Sequence, residues 1–333
     1  MSHKFCIASC MLFLITCCSG VVFSQVSFDS DREFRRELFS ELHKSEAEMR
    51  QFGESVRSLF DEIPQKVQAK VMPAIMERMR DTSTPMSPEE GMKLGLGIAL
   101  DEMIEIQKPF NDKTAEFFTE EGRQTLHLRM FQVRMGFMDH LEATDNPEAV
   151  QAAFGLDMFQ LMSGQPDFID LSPEQRELLI KQQRETSLEA LSLTTQATLK
   201  MVTTNPEKLA EIRRLADAMT KAETEEEREK IAKQLQRANM ETMSEIAPEM
   251  KAILIRGHED FMRVLTDAQK AKIKAVMADM PESLKKLLAE IDKGGSALSG
   301  LESWVPGMGV PGVNPNREAP RQRTGGGSRA FSE

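Results

Sequence analysis

Between residues 30 and 293 the apolar positions recur every three or four residues, the period of helices that each bury one face. Phe34, Leu38, Leu42, Met49, Phe52, Val56, Leu59 and Ile63 predict one long helix. Val67, Val71, Met72, Ile75, Met76 and Met79 predict another, with Pro73 as a kink or boundary. Leu209, Ile212, Leu215, Ala216 and Met219 make a further stripe, as do Ile231, Leu235, Ala238 and Ile246. The cleanest runs Ile273, Val276, Met277, Met280, Leu284, Leu287, Leu288 and Ile291. Residues 91–100 are the exception, because three glycines and local alternation suit a short strand as well as a helix.

Helix starts are marked by a cap residue followed by proline at Ser87-Pro88, Asn146-Pro147, Ser172-Pro173 and Asn205-Pro206. Proline at the first helical position loses no hydrogen bond and already has the right φ. Thr224-Glu225-Glu226-Glu227 adds a capping box with acidic residues at the positive end of the helix dipole. The body is rich in Glu, Lys, Gln, Ala, Leu and Met, has no Tyr, and holds few β-branched runs. The fold class that follows is all-α, a multi-helix antiparallel bundle or a set of extended helical hairpins.

Both ends depart from this pattern. Lys4 is followed by an apolar run over 5–23, and Val22 and Ser24 stand at −3 and −1 before Gln25. That is the layout of a secretory signal peptide over 1–24, cleaved after Ser24 into the periplasm or medium. The run is also long enough for a retained anchor, and Cys17 offers a lipoprotein alternative, although Thr16 suits that processing poorly. After cleavage no span is expected. The remainder divides into an N-terminal helical region over 25–110 and a helical body over 111–293. From Gly294 to the end, Gly, Pro and Ser predict a disordered tail, with Trp304 near its start as a residue that could dock on the body.

All four cysteines fall at 6, 10, 17 and 18, so a chain beginning at Gln25 has no disulfide, thiolate nucleophile or Cys-metal site. The net charge of −11, or −12 once Lys4 is lost, repels phosphate backbones, and no basic run offsets it; nucleic acid is not an expected partner. His43, His127, His140 and His258 include no pair at i, i+3 or i, i+4, so no helix face offers two imidazoles. His258-Glu259-Asp260 is the densest ligand cluster, yet neighbours on a helix point apart, and it reads as polar residues facing water rather than as a metal site. No nucleophile elbow, phosphate-cradling loop or dinucleotide fingerprint occurs. The chain reads as non-catalytic, with neither cofactor nor metal assigned.

The 23 methionines include helically spaced sets, Met72/Met76/Met79, Met135/Met138, Met158/Met162, Met240/Met243 and Met277/Met280. Three readings stand: core filling, an adaptable apolar surface for varied partners, and soft-metal capture.

Two strings share one grammar, Leu171-Ser172-Pro173-Glu174-Gln175 and Leu265-Thr266-Asp267-Ala268-Gln269. Each is a capping box in which the hydroxyl serves the third amide and the Gln reaches back to the cap, with a leucine ahead and a basic residue behind. With the sequence that follows them, these strings resemble the LTxxQ motif of the Spy/CpxP-like periplasmic family. That resemblance implies a small all-helical exported protein, often a homodimer. Some members are ATP-independent chaperones for unfolded or partly folded exported proteins, and relatives are tied to zinc and heavy-metal resistance. It would make Leu171, Ser172, Gln175, Leu265, Thr266 and Gln269 the signature positions.

The departures are concrete. The motifs start 94 residues apart, at 171 and 265, and degenerate copies at 86–90 and 118–122 lack the Gln. The family's chaperones use a basic cradle whereas this chain is acidic, and the histidines of its metal-binding members have no match. The expected function is Spy-like holding of apolar segments. The alternatives are a metal-responsive or metal-sequestering envelope protein and a structural helical scaffold.

Overall fold

The computed structural model describes residues 29–81, 86–144, 146–222 and 224–291, and every described element is helical. The chain runs α1 (Asp29–Glu41), α2 (Glu46–Asp61), α3 (Ile63–Asp81), α4 (Pro88–Glu105), α5 (Gln107–Phe117), α6 (Glu120–Ala143) and α7 (Pro147–Ser163). After a 3-10 turn at Asp167–Ile169 it continues as α8 (Pro173–Thr204), α9 (Pro206–Lys221), α10 (Glu225–Val264), α11 (Asp267–Ala278) and α12 (Glu282–Ile291). The all-α architecture is thus shown. The expected signal peptide, Trp304 and the C-terminal segment lie outside the described residues. No helix among those described is long and apolar enough to cross a membrane.

The caps sit where the sequence puts them. Ser87, Ser172, Thr224 and Thr266 each complete a reciprocal capping box, and Asn205 caps the helix that Pro206 opens. Residues 91–100 are helical, inside α4. Met92, Leu96 and Leu100 bury one face at four-residue spacing, so packing overrides the glycines. Pro73 lies within α3, on its solvent side, where the Ala69 carbonyl it leaves unbonded can meet water.

Two predicted long helices are broken. The first ends at Glu41, because His43 turns left-handed (φ 51°) and Ser45 starts a new helix. The Ser45 amide donates to Glu48 Oε2 (2.8 Å) while Ser45 Oγ accepts from the Glu48 amide (3.3 Å), a local box that offsets the break. The second break falls at 279–281, before α12. The apolar stripe keeps its phase across it because α11 and α12 both rest on α6.

The longest packed pair is α8 against α10. Thr186 lies beside Gly257, Glu189 pairs with Arg256 and Lys200 with Glu245, so the two run antiparallel. A Cβ at Gly257 would fall 2.7 Å from the Thr186 methyl, so only glycine permits this approach. Helix α7 lies across both, and α6 runs back along α7. Near the described ends, α12 sits against α1 and α6, with Lys286 paired to Glu33 (3.0 Å) and Glu41 bidentate on Arg129 (2.6 and 2.8 Å).

The main core draws side chains from Phe34 to Leu288. A smaller one gathers Phe131, Met135, Ile169, Leu171, Leu179, Phe261, Leu265 and Ile273. At the opposite edge, α3 packs chiefly on α4 and α2.

Candidate functional site

The two capping boxes come together. Ser172 and Thr266 have nearly the same backbone, φ −66°, ψ 159° and φ −70°, ψ 162°. At the first, Ser172 Oγ accepts from the Gln175 amide (3.2 Å), and Gln175 Oε1 accepts from the Ser172 amide (3.0 Å). At the second, Thr266 Oγ1 accepts from the Gln269 amide (3.3 Å), and Gln269 Oε1 accepts from the Thr266 amide (2.9 Å).

The two glutamines then clasp each other. Gln175 Nε2 donates to Gln269 Oε1 (3.0 Å), and Gln269 Nε2 donates to Gln175 Oε1 (2.9 Å). The second hydrogen of each amide goes to a carbonyl two residues before the other box's cap. Gln175 donates to Val264 (3.0 Å) and Gln269 to Asp170 (3.0 Å). Both side-chain amides therefore use two donors and two acceptor sites, which is their full capacity.

The amide hydrogen bonds of one side recur on the other at an offset of 94 residues, Asp170 matching Val264, Leu171 matching Leu265 and Leu179 matching Ile273. The joint thus has local two-fold pseudosymmetry. Asp170 is held left-handed at φ 54°, a conformation a short polar side chain tolerates, and this aims its carbonyl at Gln269. Lys272 forms an ion pair with the Asp170 carboxylate.

Leu171 and Leu265 fill the smaller core beneath the clasp, at 7% and 4% exposure. All six motif residues meet, and their chemistry is spent on holding α8, α11 and the end of α10 in register. The clasp leaves no side-chain amide of the two glutamines unused.

Beside this joint runs a polar seam whose members carry no motif. Arg134 on α6 and Asp157 on α7 are buried together, with Arg134 Nη2 and Nε 2.7 and 3.1 Å from Asp157 Oδ1. Gln183 Nε2 donates to the Asp157 carbonyl (2.7 Å), Gln165 to Gln183 (3.2 Å) and Gln160 to Gln165 (2.5 Å). The Arg134 guanidinium lies 5.5 Å from the Phe261 ring centroid. His258, mostly buried and facing the same guanidinium, is pushed down to about 4, first by burial and then by the Arg134 charge. Burial also lowers His127.

Two cavities of about 20 Å³ flank Arg134, each of a size to hold one water. Neither admits a substrate. The seam had a visible signal: Arg134 interrupts the apolar run 130–138, and Asp157 interrupts 152–162. Isolated charges of opposite sign in two buried helices have to find each other.

The surface reading of His258-Glu259-Asp260 holds for Glu259, which is exposed, and fails for His258, which is mostly buried beside Arg134; among the described residues no three His, Cys, Asp or Glu side chains converge as a metal site. The methionines sort by burial. Met135, Met138, Met158 and Met162 are core, and Met277 and Met280 are half-buried. Met72 and Met76 are exposed, at 46% and 55%. The side chains of Met79, Met240 and Met243 lie outside those described.

Met72 and Met76 share the outer face of α3 with Ala69 and Pro73, all four exposed and spaced i, i+3, i+4, i+7. Val67, Val71 and Ile75 hold the other face in the core. Lys66, Lys70, Arg78 and Arg80 are exposed along the same helix. Leu178, on α8 beside the joint, is the other large apolar side chain exposed among the described residues, at 44%.

No family model, no curated protein and no solved structure matches this chain.

Proposed function

We propose that this is an exported, non-catalytic helical protein that holds exposed apolar segments of other proteins, without ATP, on the outer face of α3. The observation that carries the reading is the stripe Ala69, Met72, Pro73 and Met76. Two large thioether side chains stand in solvent on a helix whose packing face is already complete. Flexible, polarisable methionine suits a surface that must fit varied apolar partners. Lys66 and Lys70 on the same helix are already paired with Glu62, Glu102 and Glu105, so the reading rests on the apolar stripe and not on charge. Export rests on the signal-peptide layout of residues 1–24.

The test is aggregation of a chemically unfolded client, followed by light scattering in the absence of ATP. The protein in excess should slow aggregation, and Met72→Lys/Met76→Lys should abolish most of the effect while far-UV circular dichroism stays helical. A wild-type chain that leaves aggregation unchanged would refute the reading.

A further inference from the structure

Sulfur in this protein is distributed in an unusual way. The four cysteines all fall at or before position 18, so residues 19–333 carry no thiol and methionine is their only oxidisable sulfur. Among the methionines whose side chains are described, Met72 and Met76 alone are exposed, whereas Met130, Met135, Met138, Met158, Met162 and Met250 are buried. The two exposed thioethers sit one turn apart on one face. The side of α3 that packs into the core is built from Val67, Val71 and Ile75, which have no sulfur.

We propose that Met72 and Met76 form a reversible oxidation site that switches the outer face of α3 from apolar to polar. The oxidant is a peroxide. A thioether lone pair attacks one peroxide oxygen, the S–O bond forms as the O–O bond breaks, and proton transfer to the departing oxygen gives the sulfoxide and water. Sulfur gives up two electrons and the peroxide takes them. Reversal uses a dithiol, which supplies two electrons and two protons and becomes a disulfide as water leaves.

Exposure makes both sulfurs accessible, and it also makes their oxidation harmless to the fold. A sulfoxide dipole on this face meets water, whereas the same group at Met130 or Met158 would sit unpaired in the core. The stripe Ala69, Met72, Pro73 and Met76 would then carry two strong acceptors in place of its two largest apolar groups. The consequence for partner binding rests on the function proposed above. The site and its polarity change do not.

Full-length protein titrated with hydrogen peroxide and digested with trypsin places both sulfurs in one peptide, residues 71–78, between the cleavages after Lys70 and Arg78. That peptide should take up two oxygens at doses that leave the peptides of Met130, Met135 and Met138 unmodified. Circular dichroism and Tm should not change, retention on a hydrophobic-interaction column should fall, and methionine sulfoxide reductase with a dithiol should restore it. Met72→Leu/Met76→Leu should keep the original retention and lose its response to peroxide.

Buried methionines oxidised in step with 71–78, unaltered retention, or an equal response from the leucine variant would each overturn the proposal. In the aggregation assay peroxide should lower holding by the wild type several-fold, whereas holding by the leucine variant, whatever its starting level, should not respond to peroxide. Holding absent before oxidation would count against the proposed function, while mass and retention would still decide the oxidation site.

Discussion

At the joint, Gln175 and Gln269 commit every donor and acceptor to each other, to their own caps and to two backbone carbonyls. On the outer face of α3, Met72 and Met76 stand half in solvent beside Ala69 and Pro73. The first region carries a repeated motif whose glutamine amides are fully committed. The second carries no motif and, among the described residues, two of the three large exposed apolar side chains. Starting a helix and fixing its register need particular atoms at particular spacings, so architecture leaves a grammar in the sequence. Holding varied apolar segments needs only exposed, adaptable surface, which leaves composition and no fixed order.

The largest effect that separates the two regions lies in the seam beside the joint. Arg134→Met leaves the Asp157 carboxylate buried without its partner, and should cost about 3–5 kcal/mol in urea unfolding. Arg134→Met/Asp157→Leu removes both charges and should recover most of that loss, because a buried pair is close to neutral against apolar groups of similar size. A single variant as stable as wild type would mean the pair is solvated.

Next comes acid. The fold holds His258 neutral down to about pH 4, against an ordinary value of about 6.5, so the unfolded chain binds the extra proton first as pH falls. Stability is fully present above about pH 6.5 and declines between 6.5 and 4, by roughly 3 kcal/mol for His258 alone. His127 is lowered in the same direction and adds to the slope. His258→Gln should flatten the stability profile across that window; an unchanged slope would assign the acid sensitivity elsewhere.

A smaller and more specific number belongs to the clasp itself. Gln175→Ala, Gln269→Ala and the double variant form a thermodynamic cycle. Either single change orphans a cap amide, a carbonyl and half of the partner amide, so the singles should not add. The coupling should be about 1–2 kcal/mol. Additive losses would reduce the joint to two independent caps.

The sequence made the secondary structure legible through its caps, because Ser/Thr with Glu/Gln three residues on, or with proline next, is a local chemical requirement. One helix boundary is set by local chemistry against the apolar period. Ser45 and Glu48 obey the same box grammar, yet the unbroken apolar stripe from Phe34 to Ile63 argued for one helix. At 279–281 the stripe carried across because α11 and α12 share α6 as a floor. Meeting of the two boxes was beyond the strings themselves, since a capping box fixes a helix start and says nothing of its neighbour. The seam was half legible. The charges at Arg134 and Asp157 stood out in apolar runs, and only the packing of α6 on α7 pairs them. The methionine stripe was legible as a period but not as a side: Met72 and Met76 repeat with Val71 and Ile75, and the fold decides which pair turns inward.

The smallest expected change in stability is the one that tests the comparison most directly. Gln is close to Met in length and is a good helix former, so Met72→Gln/Met76→Gln on an exposed face should move stability by less than about 0.5 kcal/mol. Client holding should nevertheless fall several-fold, since two thioethers give way to two hydrated amides. Leu178 supplies the matched control. It is 44% exposed, nearly as open as Met72, and it lies on α8 one turn beyond the clasp. Leu178→Gln removes comparable apolar bulk from the other region and should leave holding as it was. Equal losses from the two variants would mean that clients read exposed apolar area wherever it occurs, and that α3 has no special part. A loss confined to Leu178→Gln would move the binding surface to the joint, where the motif stands.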